Sequence, residues 1–262
     1  MSRHLDRYGP WALVTGASDG IGQATAQRLA ALGFSLLLVA RRADRLAMLA
    51  AELRAAHGVT VQCLALDLGT EEGLATLRHE SAAHDVGLLV AAAGFGTSGP
   101  FLAAPLREEL AMLDVNCRAV LALTHEFGNR FAARGHGGIV LFSSLVAFQG
   151  VPHAAAYAAT KAFVQSLSEG IAPELRARGV DVLAVAPGPV RSGFAARAGM
   201  RMGATDSPAT VADGLVAALG RRALVRPGML SKALEFALTP LPRRGRVWMM
   251  GRVMSGMARH VA

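Results

Sequence analysis

The sequence predicts an α/β fold, a doubly wound parallel sheet of about seven strands flanked by helices. Three observations predict it. Short apolar runs alternate with longer alanine-rich segments of helical period. The runs are apolar throughout instead of alternating, which suits strands covered on both faces. Several helical segments stop at a glycine just before the next strand, as helix C-caps do. Strand, helix, strand repeated in this way implies parallel strands with crossover helices.

The strands in order are "WALVTG", "SLLLVA", "VTVQCLAL", "DVGLLVAAAG", "GGIVLFSS" and "VDVLAVAPG", with a short seventh at "ALVRPG". Between them run "GQATAQRLAALG", "ADRLAMLAAELRAAHG", "TEEGLATLRHESAAH", "REELAMLDVNCRAVLALTHEFGNRFAARG" and "AAAYAATKAFVQSLSEGIAPELRARG". "TDSPATVADGLVAALG" reads as a further helix, with Ser207 or Asp206 near its N-cap and Pro208 in its first turn. No linker or composition break precedes residue 190. The chain reads as one dinucleotide-binding and catalytic unit over residues 1–228, with a basic, apolar helical extension over 229–262.

Composition bounds the function. The chain has 262 residues, 52 % of them hydrophobic, enough for a sizeable core and against disorder. No apolar run reaches the ~18–20 residues of a membrane-spanning helix. Acid and glycine interrupt the N-terminus before a signal-peptide core forms, so a cytoplasmic location is expected. Cys63 and Cys117 have neither zinc-ligand nor disulfide spacing and read as small buried side chains; no metal is expected. The net charge of +8 is concentrated at the end: residues 221–262 hold nine basic side chains against Glu235, leaving the first 220 neutral. This tail fits a helical cap over a cleft, a subunit interface, or a peripheral amphipathic membrane element. It has no aromatic stacking platform or reader motif for nucleic acid, and no nucleic-acid partner is expected.

"TGASDGIG", residues 15–22, follows the first strand and opens the first helix. Gly16, Gly20 and Gly22 let the backbone turn tightly and approach a ligand, and the free amides at a helix N-terminus suit a pyrophosphate. The spacing is Gly-x-x-x-Gly-x-Gly, not the commoner Gly-x-Gly-x-x-Gly. After the second strand Ala40 stands where a ribose-binding carboxylate would favour NAD. Arg41 and Arg42 follow, and guanidinium groups suit a 2′-phosphate. NADP(H) is therefore favoured over NAD(H).

"AAYAATKAFVQSL", residues 155–167, places Tyr157 and Lys161 at i and i+4, on one helix face about 5–6 Å apart at Cβ. A phenol with a pKa near 10 is a poor base at neutral pH, and a neighbouring ammonium lowers it. A shift of about three units is worth roughly 4 kcal/mol and moves the group toward the range of acid–base catalysis.

These residues together resemble the short-chain dehydrogenase/reductase family, over about residues 11–194, in the family's order and spacing. The shared pieces are "TGASDGIG", Asn116 in the helix after the fourth strand, Ser144 thirteen residues before Tyr157, Lys161, and "PGPV" at 187–190. Within the family, "DVGLLVAAAGFG" and "GIVLFSSLVAF" are most similar to bacterial ketoacyl- and hydroxysteroid-type reductases. The resemblance implies a Rossmann-like fold and an NADP(H)-dependent oxidoreductase interconverting a ketone or aldehyde and an alcohol, with a homodimer or homotetramer as the assembly.

The resemblance also implies roles. Tyr157 is the general acid/base, Lys161 tunes it and holds the nicotinamide ribose, Ser144 bonds the substrate oxygen, and Asn116 positions a water linking Lys161 to solvent. Ser18, Asp19 and Ile21 join the three glycines around the cofactor. Asp67 and Leu68 lie at the adenine, Ala92, Ala93 and Gly94 form the floor, and Pro187, Gly188, Val190 and Ser192 lie at the nicotinamide. Asp67 reads equally as an N-cap. Phe95, Phe148 and Phe194, with Ser144, are the expected substrate contacts, and with Leu145, Val151, Met200 and Met202 they make an apolar pocket for a lipophilic carbonyl or alcohol. His153, four residues before Tyr157, reads as a rim or helix-start residue before it reads as an extra acid.

One departure stands out. The family has Asn-Asn-Ala-Gly after the fourth strand; here it is Ala91-Ala92-Ala93-Gly94. An asparagine that anchors the cofactor floor is missing. The alternative class is a non-catalytic NADP(H)-binding sensor or scaffold on the same fold, whose signature would be a broken catalytic set.

Overall fold

The computed structural model describes residues 3–257. A short helix, α1 (Arg3–Tyr8), precedes the repeating part. Then follow β1 (Trp11–Thr15), α2 (Gly20–Ala31), β2 (Ser35–Ala40), α3 (Ala43–His57), β3 (Val61–Ala65), α4 (Glu71–Ser81) and β4 (Val86–Ala91). The second half holds α5 (Leu106–Leu113), α6 (Val120–Arg134), β5 (Gly137–Phe142), α7 (Ala155–Arg176), β6 (Val180–Val185), α8 (Phe194–Arg197), α9 (Pro208–Ala218) and β7 (Leu224–Val225). Two further helices follow within the described residues, α10 (Met229–Leu238) and α11 (Arg243–Met257).

The sheet order is β3-β2-β1-β4-β5-β6-β7, parallel at every pairing. Order reverses between β1 and β4, so a crevice opens there beyond the strands' carboxyl ends. The apolar runs are explained by the two cores. Ala12, Val14, Leu36, Leu38 and Val90 face one layer with α2, α3 and α9. Their neighbours Leu13, Leu37, Leu89, Ile139 and Leu141 face the other, with α4, α6 and α7. Each fully buried leucine contributes roughly 1.5–3 kcal/mol, which fixes register because a one-residue slip would exchange the faces.

Local signals hold at the ends. α3 and α6 stop at Gly58 and Gly135. Ser207 caps α9, its side chain accepting from the Thr210 amide, with Pro208 in the first turn. Asp206 instead bridges to Val190. Thr70, not Asp67, caps α4 by accepting from the Gly73 amide. One feature differs from the sequence pattern. The long helix after β4 is interrupted by a π-helical turn, Asp114–Ala119, between α5 and α6. The tail folds back, and Leu238, Met250 and Met254 share a third apolar cluster with Leu145, Val151, Ala154, Ala158 and Met200. Among the described residues no helix is long and apolar enough to cross a membrane.

Candidate active site

A cleft of ≈ 720 Å³ lies at the carboxyl edge of the sheet, and most of the residues singled out from sequence line it. At one end is the turn from β1 into α2. Gly16 has φ +66, and a Cβ there would lie 2.8 Å from the Ala92 oxygen and Ala93 nitrogen, so the turn packs directly on the loop after β4. Asp19, at the N-cap of α2, makes no side-chain cap bond. The first-turn amides of α2 are thus left for an outside acceptor, which suits an anion.

Gly20, Ile21, Gly22, Ala92, Ala93 and Gly94 complete this wall, and Pro187, Gly188, Val190 and Ser192 face it. Ser192 Cβ would sit 2.8 Å from a Cβ on Gly20, so the two loops touch. Where the asparagine is absent, Thr15 does part of the anchoring: the Ala93 amide donates to its hydroxyl at 3.0 Å. Sequence reading missed Thr15, although a buried hydroxyl at the end of an apolar strand was a visible signal.

Arg41 and Arg42 both reach the cleft from the end of β2. Arg42 donates to the Ser18 hydroxyl and carbonyl, each at 3.1 Å, and lies 3.5 Å from Asp19. Arg41 lies 4.0 Å from Asp67, whose other oxygen accepts from the Gly69 amide. Exposed pairs of this length are weak, so both guanidiniums can turn to a stronger anion. Glycine turn, open amides and paired arginines fit the phosphates of a dinucleotide carrying a 2′-phosphate.

At the other end stand Ser144, Tyr157, Phe95 and Phe194. The Phe194 ring lies 5.2 Å from that of Tyr157, and a Cβ on Gly96 would touch both. Ser144 follows β5 and its hydroxyl accepts from the Val146 amide at 3.4 Å, a long bond that leaves it free for another partner. Desolvation pushes the Tyr157 phenol up, and the Ser144 hydroxyl pulls it back. Lys161 is buried beneath, its Nζ donating to the Phe142 carbonyl at 2.9 Å and lying 5.8 Å from the Tyr157 ring centre. Burial holds its amine down to about 8. The expected lowering of the phenol by the ammonium is therefore not the dominant effect in this cleft; loss of water is.

Asn116 sits in the π-helical turn and does not line the cleft. Its amide nitrogen donates to the Phe95 carbonyl at 2.8 Å and to the Thr160 hydroxyl at 3.1 Å, and its oxygen accepts from the Phe95 amide at 3.1 Å. The side chain clamps the loop after β4, and both its amide hydrogens are used. Phe148 is turned away: its ring lies under the Arg226 guanidinium at 4.4 Å and is not part of the cleft wall. Arg226 in turn pairs with Glu235 of α10 at 2.7 Å. Val151 is buried in the cluster behind the wall. His153 lies in a separate shallow groove with Pro152, Trp248 and Arg252, in keeping with a rim residue.

The roof is the part sequence did not resolve. Leu230, Leu234 and Leu238 of α10 and Met249, Met250, Val253, Met254 and Met257 of α11 line the cleft, beside Met200 and Met202. The tail is thus a cap. Its alternation of apolar and basic residues carried the signal without saying which surface it would cover.

A crevice at the switch point, a glycine turn on a helix N-terminus, and a Ser-Tyr-Lys set at the far end define a dinucleotide-dependent class of protein. The short chain dehydrogenase family model matches residues 10–202, and the chain belongs to that family. It is 30 % identical over 177 residues to the 7beta-hydroxysteroid dehydrogenase of Collinsella aerofaciens, covering 68 % of this chain and 67 % of that one. It is 37 % identical over 185 residues to a very-long-chain 3-oxoacyl-CoA reductase of Podospora anserina, covering 69 % of this chain. The chain spans only 54 % of that reductase's length. Among solved structures, a short-chain dehydrogenase from Sphingobium yanoikuyae in complex with NADPH aligns with a TM-score of 0.81 at 32 % identity, over 97 % of this chain and 98 % of the other.

Proposed function

We propose that the chain is an NADP(H)-dependent oxidoreductase that interconverts a ketone or aldehyde and an alcohol on a lipophilic substrate. The observation that carries this is the cleft itself: one wall holds Ser144 and Tyr157, the opposite end holds the glycine turn with Arg41 and Arg42, and an apolar roof joins them. The NADPH in the Sphingobium structure and the steroid and acyl names of the relatives support it.

When bound, the nicotinamide supplies or accepts the hydride. The rest is done by the chain. In reduction the Tyr157 hydroxyl gives its proton to the carbonyl oxygen, and a phenol kept protonated by its dry surroundings is suited to that direction. The Ser144 hydroxyl donates a hydrogen bond to the same oxygen and steadies its developing charge. Lys161, its amine held down to about 8 by burial, lies below, 5.8 Å from the Tyr157 ring centre, as a group able to exchange a proton with the site. Asn116 is a positioning residue, holding Phe95 and Gly94 over Lys161. The α10–α11 roof excludes water.

The exposed leucines Leu106, Leu110 and Leu113 on α5 and Leu121 on α6, with Phe163 on α7, support assembly into a homo-oligomer through the long helices. A non-catalytic sensor would need the cleft but not the phenol.

The test is NADPH consumption with a panel of acyl and steroid ketones, beside Tyr157→Phe. Turnover by the wild type and a loss of at least ~100-fold in the variant, with NADPH binding retained, is the expected result. Replacing Arg41 and Arg42 by alanine should raise the KM for NADPH roughly tenfold and leave that for NADH in place. Equal activity with and without the phenol, or turnover of small polar sugars alone, would overturn the reading.

A further inference from the structure

The charged residues lining the cleft fall into two groups. Asp19, Arg41, Arg42 and Asp67 gather at the glycine-turn end, Arg42 beside Asp19 and Arg41 beside Asp67. One charged residue lies elsewhere on the wall, Arg197 at the end of α8. It is three residues beyond Phe194, the ring that packs on Tyr157. Its guanidinium lies 4.9 Å from the centre of the Phe95 ring. Among the described residues no carboxylate pairs with it.

Arg197 is held in place by its backbone. The Ser98 hydroxyl donates to the Ala198 carbonyl at 2.6 Å, tying the loop after β4 to the end of α8. The Arg197 amide donates to the Gly193 carbonyl at 3.1 Å. The side chain is exposed, so its charged end sits where the cleft meets water. A guanidinium lying against an aromatic ring keeps its edge N–H groups free, in a fork that matches two anionic oxygens. The side chains of α10 and α11 that line the roof are all aliphatic or thioether.

We propose that Arg197 anchors an anionic end group of the substrate, which is an amphiphile: an apolar body under α10 and α11, its carbonyl at Tyr157, and a carboxylate or phosphate at Arg197. This rests on the oxidoreductase reading and names the substrate class within it. A neutral ketone would leave the guanidinium without a partner, and a cationic one would be repelled.

The experiment compares one ketone as free acid, methyl ester and terminal phosphate, in the wild type, Arg197→Met and Arg197→Lys. A charge-assisted pair predicts that the wild type favours an anionic form over the ester roughly tenfold to a hundredfold in kcat/KM, chiefly through KM. Whether acid or phosphate leads identifies the group. Arg197→Met should bring the anion-to-ester ratio close to one, Arg197→Lys should keep part of it, and Arg201→Met, an exposed neighbour off the cleft wall, should keep all of it. An ester handled as well as both anions by the wild type, or a ratio unchanged in Arg197→Met, overturns the proposal. If no form is reduced, the oxidoreductase reading rests on the ketone panel and Tyr157→Phe alone, and calorimetric binding of acid and ester to wild type and Arg197→Met decides the anchor separately: equal affinities sink it.

Discussion

At the scale of single residues, Lys161 shows how position alters chemistry. Its amine is buried, with one carbonyl partner, and burial lowers it from 10.5 to about 8. Between those values the unfolded chain binds a proton that the folded chain does not. Stability therefore rises with pH from about 8 to 10.5, and the cost of the buried charge is fully present below 8. The window corresponds to roughly 3 kcal/mol at 1.36 kcal/mol per unit. Lys161→Met removes this slope. Denaturant melts of the apoprotein at pH 7 and pH 10 should show the wild type gaining on the variant by about that amount; parallel pH dependence would mean the amine is not held down. Tyr157, Lys161 and Ser144 were legible because their types and spacing are tied to one reaction. The balance of burial and charge around them was not, since it depends on which carbonyls and rings close over them.

At the scale of elements, the β1–α2 turn is the tightest joint in the site. A Cβ on Gly22 would run into the Gly16 carbonyl, which is backbone and cannot swing aside. Gly22→Ala should lower NADPH affinity at least tenfold and destabilise the fold by about 1–3 kcal/mol, read by fluorescence titration and by thermal melts. Wild-type affinity in that variant would show that the turn has slack. Glycine positions are legible in sequence because backbone contact admits little else. The π-helical turn was not legible: residues 107–135 read as one helix. The turn carries Asn116, whose amide is committed to Phe95 and Thr160 on other elements, and no local pattern reports such partners.

At the scale of the molecule, apolar side chains stay exposed in two places that bear on assembly. One is the face of α5, where Leu106, Leu110 and Leu113 recur at helical spacing, continued by Leu121 and Phe163. Leu110→Arg with Leu113→Arg should shift the sedimenting species to monomer mass while circular dichroism stays native; an unchanged mass would place the interface elsewhere. The other belongs to the tail, where Phe236 and Trp248 stay outside while the opposite sides of their helices roof the cleft.

The sequence by itself determined the seven strands, the order of crossover helices, and both the glycine turn and the Ser-Tyr-Lys set. Each is written in a short-range period or in a spacing fixed by backbone contact. Tertiary structure decided the rest. It brought the tail over the cleft, turned Phe148 to Arg226, spent the Asn116 amide on Phe95, and set Arg197 on the Phe95 ring at the mouth. These outcomes follow from which distant surfaces meet, and residues far apart in the chain carry no local mark of that meeting.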